Sequence, residues 1–351
     1  MKTAVVILNY NTRNYLEQFL PGLIASCEGL DAGVVVADNA SADTSVEFMK
    51  THFPEVPLIV LDQNYGFTGG YNRALEQVKA DYYVLINSDI EVPHGWLHPL
   101  IEWMDSHPEC GACGPKLISW HQRDTFEYAG AAGGLIDRYG YPFCHGRIMQ
   151  KVEKDHGQYD EPANVLWCSG ACLMVRSSVW KDLGGLDDRF FAHMEEIDLC
   201  WKMQLRGWKV TMVPASYVYH IGGGTLPNES PFKLRLNFRN NLLLLENNLP
   251  STLKAEMADQ VGHDDSRRHS RLDRESRRRT RRRIFVRMCL DGLSALVYLG
   301  KGKVEFFRAV VQAHREYRQL RRPGEMIPDA HRPEGLYKGW IVPIGLFGKK
   351  S

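Results

Sequence analysis

The chain has 351 residues, 44% of them hydrophobic and 24% charged, and its 43 Lys and Arg stand against 42 Asp and Glu for a net charge of +1. That length allows one large α/β domain with a smaller appendage, and the balance excludes a chain that is basic throughout or too polar to bury a core. No apolar run approaches the roughly 20 residues needed to cross a bilayer; Ile284 to Leu299 comes nearest and is interrupted by Arg287 and Asp291.

The near-neutral total hides a segment, Ser266 to Arg283, with ten arginines against Asp273 and Glu275, which leaves the remainder of the chain mildly acidic. The eight cysteines are expected as buried thiols in a reducing cytoplasm, because the chain opens on a strand pattern, Ala4 to Leu8, without a charged and apolar leader. Cys110-Gly-Ala-Cys113 and Cys168-Ser-Gly-Ala-Cys172 differ in spacing and have no His-x-x-x-His partner, so neither is read as a zinc site.

In chain order, strand patterns at Ala4–Leu8, Gly33–Ala37, Leu58–Leu61 and Asp81–Ile86 alternate with helical patterns at Tyr15–Cys27, Ser41–His52 and Gly69–Val78. Strands separated by helices in this way predict right-handed βαβ units and a doubly wound, mostly parallel sheet. Leu97–Ser106 is then helical and Gly111–Ile118 a strand, while 126–160, rich in Gly, Tyr and Pro, is expected as an irregular insertion over the active face. Val165–Val175 is a predicted strand, Ser177–Leu183 and Glu195–Arg206 helices, Val210–Val213 and Tyr217–Tyr219 strands, and Pro231–Asn247 a helix. The domain of residues 1–250 divides into a nucleotide-binding half, 1–95, and an acceptor-binding half, 96–250. A polar linker, 251–283, and a helical tail, 284–351, follow.

Polar residues collect where the predicted strands end, the edge at which open α/β sheets hold ligands. Asp38 and Asn39 follow the second strand and suit a ribose or a uracil-like base, with Ser41 expected to cap the next helix. Asn64-Tyr65-Gly66-Phe67-Thr68-Gly69-Gly70-Tyr71-Asn72 places glycines at a helix entrance, where backbone amides can approach a phosphate. Asn87-Ser88-Asp89 follows the apolar strand Tyr82–Ile86 and offers two oxygen ligands, Asn87 and Asp89, to a divalent cation, Mg²⁺ or Mn²⁺, that neutralises a diphosphate. Glu195, Glu196 and Asp198 stand at a helix start and include candidates for a general base.

From Val5 to Asn241 these segments resemble, in order, glycosyltransferase family 2, with the GT-A fold and a rhamnosyltransferase-like Asn-x-Asp form of its metal motif. The resemblance implies an inverting transfer from a nucleotide diphosphate sugar, with dTDP-rhamnose the favoured donor, to a glycan or lipid-linked acceptor in cell-surface polysaccharide synthesis. It implies donor contacts at Asn9, Asn11, Asp38, Asn39, Ser41, Asn64, Gly66, Gly69, Asn72, Asn87, Ser88 and Arg239, the last meeting a phosphate or pairing with an acid. It implies metal ligands at Asp89, Asn87 and His220, which ends a strand before a glycine-rich loop at 222–225. The base falls to Glu196, with Glu195 as its rival, and Trp167, Gly170 and Asp198 fall on the acceptor side, Asp198 orienting the loop or touching the acceptor. The competing readings are a sugar-1-phosphate nucleotidyltransferase, for which Asn9-Tyr10-Asn11 lacks the basic glycine-rich loop, and a non-catalytic membrane or nucleic-acid adaptor.

The arginine-rich segment has almost no apolar residue and is expected to be extended or disordered. It reads as a solvated linker or as a contact with anionic lipid at the inner face of the cell membrane, together with the tail helices Ile284–Leu299 and Val304–Leu320. Nucleic acid is not expected, because aromatic residues for base stacking are absent from the run.

Overall fold

The computed structural model of the chain describes residues 1–222, 230–258 and 266–347. The first half follows the predicted alternation: β1 (Thr3–Asn9), α1 (Arg13–Ala25), β2 (Ala32–Asp38), α2 (Ser45–His52), β3 (Leu58–Val60), α3 (Gly66–Leu75), β4 (Tyr82–Ile86), a short β5 (Ile90–Glu91) and α4 (Leu97–Ser106). Then come β6 (Cys110–Ser119), the small strands β7 (Gly134–Asp137), β8 (Pro142–Cys144), β9 (Arg147–Ile148), β10 (Lys151–Val152) and β11 (Ala163–Asn164), and β12 (Cys172–Arg176) with α5 (Ser177–Leu183). The remainder is α6 (Glu195–Leu205), β13 (Lys209–His220), α7 (Pro231–Ala258), α8 (Ser266–Gly300), α9 (Val304–Leu320), β14 (Leu336–Tyr337) and α10 (Ile341–Phe347).

A nine-stranded sheet runs in the order β11-β13-β6-β12-β4-β1-β2-β3, with β5 paired to β13. Strands β1 to β4 are mutually parallel, whereas β12 runs antiparallel between β4 and β6, and β13 returns parallel to β6. The sheet is therefore mixed, with the parallel strands β1 to β4 all within residues 1–95. Both faces are covered. In β4, Tyr83 and Leu85 join the core beneath α5, α6 and α7, and Tyr82, Val84 and Ile86 join the core beneath α1, α2 and α4. That alternation explains the continuous apolar run, since both faces of a pleated strand must be apolar when both are buried.

Four expectations are corrected. Ser41 does not cap α2, which begins at Ser45 with Thr44 before it; Asp43, ahead of the helix rather than in its first turn, accepts from Ser45 N at 3.0 Å. Val165–Val175 is not one strand, because β12 starts only at Cys172 and 165–171 is irregular apart from a single bridge between Trp167 and Gly134. The predicted strands Val210–Val213 and Tyr217–Tyr219 are one long β13, carrying an irregularity between Met212 and Tyr217 in its pairing with β6. The 126–160 stretch contains a second small sheet, β10-β9-β8-β7-β14, whose last strand comes from the end of the chain.

The largest difference is the arginine-rich segment, which is helical as the first half of α8. Arginine is a good helix former, and Glu275 pairs with Arg278 at 3.0 Å and Arg279 at 2.8 Å along the helix. The face turned to the body repeats at helical spacing as Ser276, Thr280, Ile284, Arg287, Asp291 and Ala295, all buried. Most of this stripe is polar, so a hydropathy pattern does not register it. Its centre is an ion pair, Arg287 Nε donating to Asp291 Oδ1 at 2.7 Å, with Arg287 Nη1 also donating to Asn241 Oδ1 of α7 at 2.6 Å. Asp291 Oδ2 lies 3.4 Å from His314 of α9.

Removing one member of a buried ion pair strands its partner, so Asp291→Ala should lower the unfolding free energy by about 3 kcal/mol or more. Arg278→Ala, on the solvated face of the same helix, should leave it unchanged. Urea unfolding followed by circular dichroism measures both, and equal transition midpoints would show that α8 is not anchored through this pair.

Candidate active site

The carboxyl ends of β1, β2 and β4 lie side by side, and Asn9 and Asp38 are register partners there. Asp38 Oδ2 accepts from Asn9 Nδ2 at 2.8 Å and Oδ1 accepts from Ser41 N at 2.9 Å, while Asn9 Oδ1 accepts from the Thr12 hydroxyl at 2.6 Å. Asn9, Asp38 and Asn39 are all but inaccessible to solvent. They brace the edge rather than present polar groups across it. The accessible members of the predicted set are Asn11, whose Oδ1 accepts from Ala42 N at 2.7 Å at a φ of +55°, Ser41 and Asn64.

The glycine-rich segment is also corrected. Tyr65 N donates to Asn39 Oδ1 at 3.0 Å, Gly66 N to Asn64 Oδ1 at 2.8 Å and Phe67 N to the Phe191 carbonyl at 2.7 Å. The amides expected to cradle a phosphate are thus bonded within the protein. The glycines instead permit contact: a Cβ on Gly66 would lie 2.6 Å from the Phe191 carbonyl oxygen, and one on Gly70 would lie 2.7 Å from Leu8. Asn72 is likewise internal, donating to the Leu186 carbonyl and to Asp188 Oδ1, both at 2.8 Å, and accepting from Leu186 N.

After β4 the chain carries Asn87, Ser88 and Asp89 past the end of β13, where Ile221 N donates to the Asp89 carbonyl at 3.2 Å. Ser88 meets the Thr12 hydroxyl at 2.9 Å. Asp89 Oδ1 lies 3.2 Å from His220 Nε2, and Asn87 Nδ2, as its amide is placed, lies 3.4 Å from the same nitrogen. The other ring nitrogen, Nδ1, is 3.4 Å from Glu127 Oε2, an ion-pair contact whose angle falls short of a hydrogen bond. Burial alone would depress the His220 pKa, but the two flanking carboxylates outweigh it and lift it to about 10. Burial works to raise Asp89, and the hydrogen bond from His220 carries it below the ordinary carboxylate value.

These donors fit a small divalent cation. Neighbouring ligands around an octahedral ion with bonds near 2.1 Å stand about 3 Å apart, close to the 3.2 and 3.4 Å that separate His220 Nε2 from Asp89 and Asn87, and a cation there would take the place of the proton His220 carries between its carboxylates. Glu127 on the far nitrogen is the outer carboxylate that orients a ligating histidine. Among the described residues no three His, Cys, Asp or Glu side chains converge as a complete cage. Two such ligands and an amide leave coordination positions open for phosphate oxygens. Of the glycine-rich loop after His220, residues 223–225 lie outside the described residues.

The third cluster sits at the start of α6. Phe191, His193 and Met194 have φ of +63°, +71° and +73°, three strained residues in four positions. Asn240 holds this turn, its Nδ2 donating to the carbonyls of Phe190, Ala192 and His193 at 2.7–2.9 Å. Arg239 holds it too, donating to the Phe190 carbonyl at 2.8 Å and pairing with Glu316 at 3.3 Å. Arg239 therefore pairs with an acid, the second of its two expected roles, and positions the turn; its guanidinium is not committed to a phosphate.

Glu195 and Glu196 each keep one carboxylate oxygen buried without a partner. Burial, and then the neighbouring Glu196 charge, hold Glu195 far above the usual carboxylate range. Glu196 is raised by burial and restrained by backbone amides of the helix start, which leaves it at about 7. The two acids are thereby separated, Glu195 neutral and Glu196 able to exchange a proton near neutrality. A Cβ on Gly170 would stand 3.5 Å from both Glu196 Cβ and Phe67, so the absent side chain keeps the space beside Glu196 open.

Two residues expected on the acceptor side do not face it. Asp198, 1% exposed, accepts from Asn247 and Asn248 at 2.9 and 2.7 Å and pairs with Lys202 at 2.6 Å, so it braces α6 against α7. Trp167 is buried, its Nε1 donating to the Leu135 carbonyl at 3.2 Å and its ring lying over Gly134, where a Cβ would clash at 2.0 Å. The fold supplies residues that the strand-end reading missed, above all Glu127, carried from beyond β6 with its amide bonded to the Leu117 carbonyl at 2.8 Å. Lys233, on the first turn of α7, is another; its charge acts on His193 and is acted on by Glu127. Asn87 N donates to the Ala171 carbonyl at 2.9 Å, and the preceding residue, Gly170, is the one beside Glu196, so the segment 170–171 links the histidine cluster to the start of α6.

The Glycosyl transferase family 2 model matches residues 4–184. The N-acetylglucosaminyl-diphospho-decaprenol L-rhamnosyltransferase of Mycobacterium tuberculosis is 26% identical over 297 residues, covering 80% of this chain and 95% of that one. The Escherichia coli rhamnosyltransferase WbbL is 24% identical over 225 residues, covering 62% and 82%. Among solved structures, GalNAc-T7 with UDP, GalNAc and Mn²⁺ superposes with a TM-score of 0.54 at 15% identity, over 79% of this chain and 54% of that one, so the chain spans about half of its length. Staphylococcus aureus TarS 1-349 in complex with UDP-GlcNAc gives 0.50 at 15% identity, over 90% and 92%. The structural likeness is one of fold, the GT-A fold, and with the family match covering more than half of its length the chain belongs to glycosyl transferase family 2.

Proposed function

We propose that this glycosyltransferase is an inverting enzyme that moves a hexose, rhamnose from a dTDP donor in the favoured case, to a lipid-linked saccharide in the synthesis of a cell-surface polysaccharide. The observation that carries the reading is the meeting of Asp89, Asn87 and His220 at one sheet edge, with Asn87 bonded to the segment 170–171 that lies beside Glu196, an acid whose pKa is about 7. The rhamnosyl activity and the polyprenyl-linked acceptor are supported by the names of the two relatives, and peripheral action at the cytoplasmic face of the membrane accords with such an acceptor. Among the described residues no helix is long and apolar enough to cross a membrane.

In this reading Asn11, Ser41 and Asn64, the accessible residues at the β1–β3 edge, meet the nucleoside, while Asp38 and Asn39 hold that edge in shape. Asp89, Asn87 and His220 would hold a divalent cation, Mg²⁺ or Mn²⁺, which when bound offsets the charge that builds on the leaving diphosphate. Glu196 accepts the proton of the acceptor hydroxyl as its oxygen bonds to the anomeric carbon, and the bond from that carbon to the diphosphate oxygen breaks with its electron pair leaving on the phosphate. Glu195, kept protonated by burial, adds no second negative charge beside the base.

Asp89→Ala should abolish transfer while circular dichroism keeps the parent's secondary structure, with a lowered melting temperature because the buried His220 loses one partner; near-normal turnover would remove Asp89 from the metal site. Glu196→Gln should reduce kcat by about 10²-fold or more with the donor dissociation constant little changed, and the same loss from Glu195→Gln alone would transfer the role to the other acid. Because Glu196 binds its proton below about 7 and must release it to act, kcat/KM should fall about tenfold for each pH unit below that value. A flat profile from pH 5 to 8 would exclude a base of that pKa. Donor hydrolysis measured across UDP-, dTDP- and GDP-sugars tests the donor, and equal rates for all three would refute a dTDP preference.

A further inference from the structure

Among the described residues thirteen large hydrophobic side chains are exposed, and six of them lie between 285 and 304: Phe285, Leu293, Leu296, Val297, Leu299 and Val304, each 41–67% exposed. They are not scattered. Phe285, Cys289, Leu293, Leu296 and Gly300 follow one another at intervals of four, four, three and four along α8, and all are exposed. This is one face of a helix, lying roughly opposite the stripe Ile284, Arg287, Asp291 and Ala295 that packs on the protein body. An apolar face of that length left in water on a chain of balanced charge marks an interaction surface.

Its flanks say what it meets. Immediately before Phe285 the same helix carries Arg281 and Arg282, both exposed, within a run of eight arginines from 271 to 283. Just past its end Lys301 and Lys303 are exposed. The surface is therefore apolar in the middle and cationic at both ends. A second copy of the chain is a poor match, because a parallel pairing would set arginines against arginines and an antiparallel one would set them against the two lysines. Nucleic acid would draw on the charge but has no use for the aliphatic centre. A bilayer with anionic headgroups satisfies both parts.

We propose that the exposed face of α8 docks the protein on an anionic membrane, the helix lying in the plane of the surface with Phe285, Leu293 and Leu296 among the acyl chains and Arg281, Arg282, Lys301 and Lys303 at lipid phosphates. Seven of the eight cysteines are buried and Cys289 is exposed in the middle of this face, so a thiol-reactive, environment-sensitive fluorophore reports on it directly. The full chain, labelled at Cys289, is titrated with vesicles of phosphatidylcholine alone and of phosphatidylcholine with about 30% phosphatidylglycerol. The anionic vesicles should shift the emission to shorter wavelength and sediment the protein.

Arg281→Gln with Arg282→Gln should weaken binding to the anionic vesicles about 30-fold. Leu293→Ser with Leu296→Ser should weaken it by about tenfold or more and abolish the spectral shift. Both pairs alter exposed side chains, and circular dichroism establishes that helix content is kept. Absence of binding to anionic vesicles, or unchanged affinity in the arginine pair, overturns the proposal. So does a dimer in sedimentation velocity that the leucine pair dissolves without lipid, or single-stranded RNA shifting the label more strongly than the vesicles do. No donor or acceptor enters the experiment, so its failure would leave the reading of sugar transfer untouched.

Discussion

His220 stands between two carboxylates, and the site is organised around that placement. Asp89 comes from the end of β4 in the parallel half of the sheet, Glu127 from beyond β6, and the imidazole from the last residue of β13. Three segments distant in the chain are tied by charge in a buried setting, where each acid would be costly without its partner. The arrangement also keeps one histidine nitrogen facing Asn87 and Asp89, the side on which a cation and a diphosphate would sit. A histidine with only one acidic neighbour would be free to turn; with Glu127 behind it, the ring has one orientation.

A second junction joins α3 to the turn that precedes α6. The Phe191 carbonyl accepts from the amide of Phe67 at the start of α3, and the strained turn that contains it is held from α7 by Arg239 and Asn240. The glycine-rich stretch, whose composition suggests a phosphate cradle, is thus a packing device. Its missing side chains let the Phe191 turn and Leu8 approach the backbone of α3. The consequence is mechanical: Glu196 stands in the first turn of α6, just after this turn, so its position is set by the same contacts that seat α3.

The C-terminal helices extend this logic outward. α8 and α9 pack on α7, the helix that clamps the turn before α6, through Arg287, Asp291 and the Tyr317–Glu246 hydrogen bond. The inward stripe of α8 is largely polar, which leaves its apolar residues on the outside. A helix whose polar stripe faces inward and whose apolar stripe faces outward inverts the usual pattern of a globular protein. That outward face is the one proposed to meet an anionic membrane, on a helix whose inward face reaches α7 through Arg287 and Asn241.

The linear sequence by itself determined what depends on local period and on the order of motifs. Alternating apolar runs and helical patterns specify the parallel core, and Asp38, Asp89 and Glu195-Glu196 are legible because polar residues directly after a buried strand or at a helix start emerge at an edge. Which of these face a ligand was a matter for the tertiary structure. Asn39, Asn72, Asp198 and Trp167 carry the residue types of a binding site, yet each spends its hydrogen bonds inside the protein, and only the neighbours brought to them through folding reveal that. Glu127 has no local signal at all, since its role exists only beside His220, 93 positions away. The arginine-rich helix was hidden for the same reason: its inward face is ordered by ion pairs and small side chains, and hydropathy along a chain does not record partners supplied by another helix.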